Sequence, residues 1–338
     1  MPVDLAFAPD GRAFYTEKAT GQIRVIKNGA LLSQPFASVP VNSASERGLL
    51  GIDLHPNFAV NGFVYVYYTR SSTGANTTIS ANVLEHRVVR FAANGDIAAG
   101  LEELIMTLPA AGPGNHNGGI IRFGLDGKLY IAIGDLGVPA NSQSTTVLPG
   151  KILRINDDGS IPADNPFGAA SSIYAIGLRN VFGMGFDADG RLFAHENGPG
   201  NHDELNLIVA GGNYGWPNVQ GRADDAAGDP AGESAFAAAT ANYHDPLTDK
   251  TDGSVGSTGV DVARSGAYGG NVTGQVFFGQ FGLSRIIRGV RDAVGTSIVA
   301  QNVFATNLDG GVNGLRFGPD GTLWATTDTR VVRLPSTP

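Results

Sequence analysis

The chain of 338 residues contains no cysteine. Disulfides, thiolate metal sites, iron–sulfur clusters and the Cys-anchored attachment of a c-type haem are therefore excluded. Basic residues are few, 23 Lys and Arg against 31 Asp and Glu, and the formal charge is −8. No basic stripe forms, and a chain that cannot neutralise phosphates is not built for nucleic acid. No apolar run approaches the roughly 20 residues of a membrane-spanning helix. Residues Val3–Phe7 follow Met1 almost at once and read as a strand, so no signal peptide is visible. There is no G-x-G-x-x-G, no Walker loop, no G-x-S-x-G elbow and no EF-hand loop. HENGPGNH (195–202) holds His and Glu without the H-E-x-x-H spacing of a zinc protease.

What is abundant is glycine, 48 residues, together with 18 prolines, while charged residues make up only 16%. That balance belongs to a turn-rich, all-β protein, because every chain reversal needs residues that fix or relax φ. One phrase recurs: FAPDGRAFYTEK (7–18), FGLDGKLYIAIGD (123–135), FDADGRLFAHEN (186–197) and FGPDGTLWATTD (317–328). HPNFAVNGFVYVYYT (55–69) is a fifth version, with Asn61-Gly62 for Asp-Gly. Asp-Gly and Asn-Gly signal two-residue hairpins, in which both turn positions take positive φ. The turns fall at 10, 61, 126, 189 and 320, and the last gap is about twice the others. A sixth unit is thus expected near 250–290, with GQVFFGQFGLSRIIRGV (274–290) as its hairpin. Six units of this length predict one domain over residues 1–338, a six-bladed β-propeller of four-stranded antiparallel blades. The stretches 70–85, 136–150 and 220–260 read as loops on one face.

Residues 114–119, GNHNGG, put His116 among glycines just before a strand. Glycines let a backbone approach a ligand closely, and in a propeller the start of an inner strand borders the central channel. Residues 118–124 and 128–134 are expected to pair antiparallel, which brings His116 and Asp135 to the same end. A carboxylate that orients an imidazole is a general-base arrangement; the plainer alternative is a loop histidine with Asp135 capping a turn. Arg179 and Asn180 also precede a strand, and Arg179 offers a planar fork for carboxylate or carbonyl oxygens, or else a surface ion pair. The Gly198-Pro199 turn can direct carbonyls outward, and carbonyls with carboxylates suit a hard cation such as Ca²⁺. His55 reads as structural, His86 as a surface position of a strand, and Trp216 as blade packing, while His195 and His202 flank the Gly-Pro loop.

The phrases ERGLLGIDLHPNFAVNGFVYVYYT, NHNGGIIRFGLDGKLYIAIGD, GKILRINDDGSIPADNPF, YAIGLRNVFG and ENGPGNHDELNLIVAGGNYGWPNV occur in this order. Together they resemble the soluble glucose/sorbosone dehydrogenase family, which includes the aldose sugar dehydrogenases. The resemblance implies a six-bladed propeller that binds pyrroloquinoline quinone (PQQ) and Ca²⁺ at its hub and oxidises an aldose sugar to a lactone. It implies His116 as the general base, Asp135 as its orienting carboxylate, and Arg179 and Asn180 as cofactor contacts near the reactive carbonyl. Glu46 matches a polar cofactor contact, Gly198 and Pro199 the carbonyls that hold Ca²⁺, and Gln220, Arg222 and Asp224 the region of a second, structural Ca²⁺. It further implies a separate electron acceptor and a periplasmic or secreted location. Three positions depart from the family: Gly282, Gly311 and Asn313 stand where cations for the quinone's carboxylates are expected; Arg285, Arg288 and Arg316 are the candidates to substitute, although Arg285 and Arg288 read better as outer strand positions. That departure leaves two other readings open: a PQQ-free propeller enzyme using His116 and Asp135 for acid–base chemistry on a sugar or lactone, or a non-catalytic carbohydrate- or protein-binding propeller.

Overall fold

A computed structural model describes residues 1–110, 112–250, 253–264, 267–269 and 272–336. Six small antiparallel sheets succeed one another along the chain. Their innermost strands are Pro2–Phe7, Leu49–Leu54, Ile121–Phe123, Val181–Phe186, Ser257–Val262 and Val312–Phe317. Each inner strand packs against the next, and the last returns to the first, so the sheets are the blades of a six-bladed propeller. Blades 3, 4 and 5 have four strands, blades 1 and 2 add a short fifth, and blade 6 has three among the described residues. The ring closes through side chains: Thr326 Oγ1 donates to the Val3 carbonyl (2.6 Å) and Asn313 Nδ2 to that of Pro2 (3.1 Å).

Why a propeller hub from this sequence? Inner strands must approach closely, and the glycines permit it. A Cβ on Gly51 would sit 2.2 Å from the Gly119 carbonyl oxygen, and one on Gly183 2.4 Å from that of Thr258. Neither glycine has positive φ; each is there for space. The channel is filled on the axis by Arg122, which pairs with both oxygens of Asp4 (2.7 and 2.8 Å) and donates to the Ile52 and Met184 carbonyls. Apolar clusters fill the wedges between blades, such as Phe14, Ile52, Val66 and Val89 between blades 1 and 2. Burial at about 25 cal/mol per Å² makes these wedges the main stabilising term.

The repeated Asp-Gly turns connect the first and second strands of their blades. They are not the expected two-residue turns. Only the glycine takes positive φ, at Gly11, Gly127, Gly190 and Gly321, and its amide donates three residues back. Asp10, Asp126 and Asp320 each accept the amide two residues on, which explains the aspartate without a strained φ. Around Asn61-Gly62 a single helical turn, Phe58–Asn61, replaces the two-residue turn, and the strands on either side still pair antiparallel.

The sixth unit lies where the spacing requires. Its hairpin, Val276–Gln280 with Arg285–Arg291, joins the second and third strands, while the inner strand Ser257–Val262 comes from the stretch read as loop. Residues 251–252, 265–266 and 270–271 of this region lie outside the described residues. The 220–260 stretch also contains a short helix, Glu233–Ala239, and the outer strand Thr248–Lys250.

Candidate active site

Residues that start an inner strand or end a second strand share one face of the hub. Ile121 pairs with Ile131, so His116 before the first strand meets Asp135 after the second. Their Nδ1 and Oδ1 atoms are 2.6 Å apart. Asp135 is fully buried, and the His116 side chain is only 13% exposed. His116 itself has φ 54°, a left-handed backbone that costs a side-chain-bearing residue about 1 kcal/mol or more. It is held there by its amide, which donates to Glu46 Oε2 (2.7 Å). Gly134 must be glycine, since a Cβ would lie 2.2 Å from the His116 carbonyl oxygen.

Asp135 has two further donors. The Gly137 amide reaches Oδ1 (2.7 Å) and the Trp216 indole N–H reaches Oδ2 (2.9 Å). Burial alone would push its pKa up, but the hydrogen bonds from His116 and Trp216 outweigh burial and hold it below the usual carboxylate value. The carboxylate is therefore ionised and pins the imidazole with Nδ1 turned inward, leaving Nε2 for the hub. Trp216 was expected to pack a blade; its ring also faces the Arg179 guanidinium, 5.4 Å from the centroid.

Blade 4 supplies Arg179 and Asn180. Asn180 Oδ1 accepts the Gly118 amide (3.0 Å), and its Nδ2 lies 3.4 Å from Glu46 Oε2. Arg179 Nη1 donates to the Asn197 carbonyl (2.9 Å), its amide to Glu196 Oε2 (2.6 Å), and its Nε is buried without a partner. Burial lifts the Glu196 pKa to about 7 despite the amides of Arg179 and Asn180, and burial also holds Glu204 well above its ordinary value. Asn206 Nδ2 donates to both carboxyls. Arg179, Glu196, Gly198, Pro199, Glu204 and Gln220 border a cavity of about 10 Å³, room for one water-sized occupant. Gly198 and Pro199 follow the second strand of blade 4, and no described donor reaches either carbonyl.

The second predicted metal region resolves differently. Asp224 offers a carboxylate, but its companions are Asp229 and Glu233, with ligand atoms within 4.8 Å of one another. Glu233 is fully buried; its Oε1 accepts the Gln220 amide (2.8 Å) and its Oε2 has no partner. Arg222 turns away, donating to the Leu247 carbonyl and facing Asp249 at 3.7 Å; a guanidinium cannot ligate a cation, and its carbonyl already accepts the Asp224 amide. Nothing in the sequence pattern singled out Asp229, in an irregular stretch, or Glu233, the first residue of the short helix.

The other histidines sort by burial. His195 is enclosed between the Ser257 hydroxyl and the Thr258 carbonyl, and burial lowers its pKa to about 4. His202 lies between Asp229 (2.7 Å) and Asp249 (3.0 Å). His86 is not on the surface: it is fully buried, bonded to Thr69 and tilted on the Tyr67 ring.

Comparison with known proteins decides the family. The sequence model for Glucose / Sorbosone dehydrogenase matches residues 1–334. The chain belongs to the glucose/sorbosone dehydrogenase family. It is 36% identical to quinoprotein glucose dehydrogenase B of Acinetobacter calcoaceticus over 248 residues, which is 66% of this chain and 52% of that one. It is 32% identical over 224 residues to an aldose sugar dehydrogenase of Escherichia coli, covering 64% of this chain and 58% of the relative. The chain thus spans a little over half the length of these two relatives. Among solved structures, the PQQ-bound aldose sugar dehydrogenase of Streptomyces coelicolor superposes with a TM-score of 0.78 at 29% identity, over 96% of this chain and 87% of that one. The propeller is therefore the family's fold, and the polar hub face of blades 2 to 4 holds the His116–Asp135 pair.

Proposed function

We propose that this chain oxidises an aldose sugar at the anomeric carbon to the lactone, with His116 as general base. The observation that carries the reading is the His116–Asp135 pair at the hub. Held through Nδ1, the imidazole presents Nε2 to a sugar hydroxyl. The anomeric O–H bond breaks as its proton passes to Nε2, and the C–H electron pair leaves as hydride while the C=O bond forms. Arg179 steadies oxygen atoms beside that centre, and Asp135 stabilises the imidazolium.

The relatives named above make a bound quinone, PQQ, the natural hydride acceptor. The residues present fit its reactive end: Arg179 has an unpartnered buried Nε, Asn180 and Glu46 lie beside it, and the Gly198 and Pro199 carbonyls are unengaged. A quinone bound there accepts two electrons and polarisation of its carbonyl by Ca²⁺ assists. We assign Ca²⁺ to the Gly198–Pro199 carbonyls and a second ion to Asp224, Asp229 and Glu233 with Gln220. A separate acceptor then takes the electrons, and a periplasmic or secreted location belongs to the same proposal. No helix of the described residues is long and apolar enough to cross a membrane.

The test is reconstitution. Protein loaded with PQQ and Ca²⁺ bleaches a dye acceptor in the presence of the right aldose, and His116→Ala slows this by about 10²–10⁴-fold. Bleaching indifferent to His116, or no quinone binding at micromolar concentration, sinks the redox reading. A second reading is favoured by one observation: Gly282 and Gly311 leave the far wall without cations, so the His116–Asp135 pair could serve a PQQ-free acid–base enzyme. Lactone hydrolysis or sugar isomerisation that needs His116 and no quinone would establish it.

A further inference from the structure

The hub face is chemically lopsided. Glu46, Asp135, Glu196, Asp203 and Glu204 stand on blades 2 to 4 with Arg179, while Arg47 is taken up by Ser80, Ala110 and Gly112 and Lys18 of blade 1 by the Ser45 carbonyl. Across the hub, blades 5 and 6 present Phe281 and two glycines. Phe281 follows the second strand of blade 5, and its amide donates to the Gly256 carbonyl (2.9 Å). Gly311 precedes the inner strand of blade 6 with ordinary φ, yet a Cβ there would lie 2.4 Å from Phe281 Cδ2. The ring rests on the glycine and occupies the volume any side chain at 311 would need. Its other side is open, since Phe281 is 38% exposed, and Leu283 beside it is 43% exposed.

The cations of this region are already engaged: Arg285 and Lys250 border a cavity with Asp203, Asp249 and Leu283. Arg285 Nε donates to Gln280 Oε1 (2.5 Å). Arg288 pairs with Phe277 and Asn302 inside the sheet. Arg316 is at the opposite end of its inner strand, bonded to Asp53 (2.7 Å). Asn313 is buried and donates to the Pro2 carbonyl. A triply anionic ligand placed here meets an aromatic face beside cations that are already engaged, and unpaired charge moved out of water is costly. A flat neutral ring meets a stacking surface.

We propose that Phe281, seated on Gly311, is the platform for the cofactor's ring, and that this site takes a quinone whose outer edge carries no carboxylate charge. The inference rests on the quinone reading given above and narrows the class of quinone. Glycine at 311 is then a specificity residue, because it makes room for the ring that replaces charge.

Equilibrium binding tests it without any turnover. The full chain, with Ca²⁺ present, is titrated with PQQ and separately with PQQ trimethyl ester, following quenching of tryptophan fluorescence. The ester is expected to bind roughly tenfold tighter than the acid, because the acid's carboxylates lose water there without gaining an unengaged cation. Phe281→Ala should weaken ester binding by roughly threefold to tenfold, the worth of one aromatic contact. Gly282→Lys, on the exposed turn beside the ring, should move the preference toward the acid. Tighter binding of the acid by the unaltered protein overturns the inference and leaves the quinone reading standing. No binding of either probe overturns both. An ester preference untouched by Phe281→Ala removes the platform, as does a variant that changes only the sugar concentration needed for half-maximal rate.

Discussion

The indole N–H of Trp216 donates to Asp135 Oδ2 at 2.9 Å, on the carboxylate oxygen opposite the one that holds His116. Two residues 81 positions apart in the chain are thereby one hydrogen-bonded unit, and the unit ends on the candidate base. Trp216→Phe keeps the ring beside Arg179 and removes only the donor. Because that donor helps hold the Asp135 pKa down, its loss should raise it and shift the acid limb of the kcat/KM profile to higher pH. The drop in kcat is expected to be about tenfold, the scale of one hydrogen bond to a charged group. A pH–rate profile of the variant identical to that of the parent protein would reduce Trp216 to packing.

His86 gives a stability prediction with a definite sign. Burial, and then Arg47 nearby, lowers its pKa from 6.5 to about 3. Between those values the unfolded chain holds a proton that the folded chain does not, so stability falls as pH falls through that window, by up to about 1.4 kcal/mol per pH unit. Above the unfolded pKa the residue contributes no slope. Urea unfolding between pH 7 and 4 should show a shallower decline in His86→Gln than in the parent protein; equal slopes would remove His86 as the source.

The axial ion pair predicts an asymmetry. Arg122 and Asp4 are both essentially without exposure, so Asp4→Ala strands a guanidinium in the channel. The expected cost is about 3–5 kcal/mol, whereas Asp4→Leu combined with Arg122→Met should recover most of it. Chemical denaturation of the two variants measures the difference. Equal losses would mean that the pair itself, rather than the stranded charge, carries the energy.

The sequence and the structure agree where one local rule acts in every blade. The Asp-Gly phrase marks a first-to-second-strand turn, so its spacing counts blades, and the pairing of residues 121–123 with 129–133 places His116 beside Asp135. Blade 5 lacks the phrase, and its inner strand Ser257–Val262 was hidden in an irregular stretch. His86 was misplaced because alternation assumes one solvated face, while stacked blades cover both; Val88 and Val89, successive residues of its strand, are both fully buried. The role of Trp216 was not legible because Asp135 is 81 residues away and only the fold brings them together, whereas Asp224, Asp229 and Glu233 are close in sequence but follow no regular spacing that marks a site. The resemblance covered the hub better than the spacing did, since it carried His116, Arg179 and Asn180 to one site, but it carried Arg222 to a place where its side chain turns outward.

Metal dependence should separate the two proposed ion positions. The Asp224, Asp229 and Glu233 carboxylates converge within 4.8 Å, and the buried Glu233 Oε2 has no protein partner. Carboxylates held that close repel one another, and among the described residues only Asp229 pairs with a basic group, His202 at 2.7 Å, so a cation among them relieves the repulsion: Ca²⁺ should raise Tm and a chelator should lower it. At a free ion concentration a hundredfold above Kd the stabilisation is about 2.7 kcal/mol. Asp229→Asn and Glu233→Gln should each abolish most of that gain in calorimetry while leaving the His116–Asp135 pair in place. A chelator effect that survives both substitutions would assign the ion elsewhere, and the Gly198–Pro199 carbonyls would then be the position left to account for it.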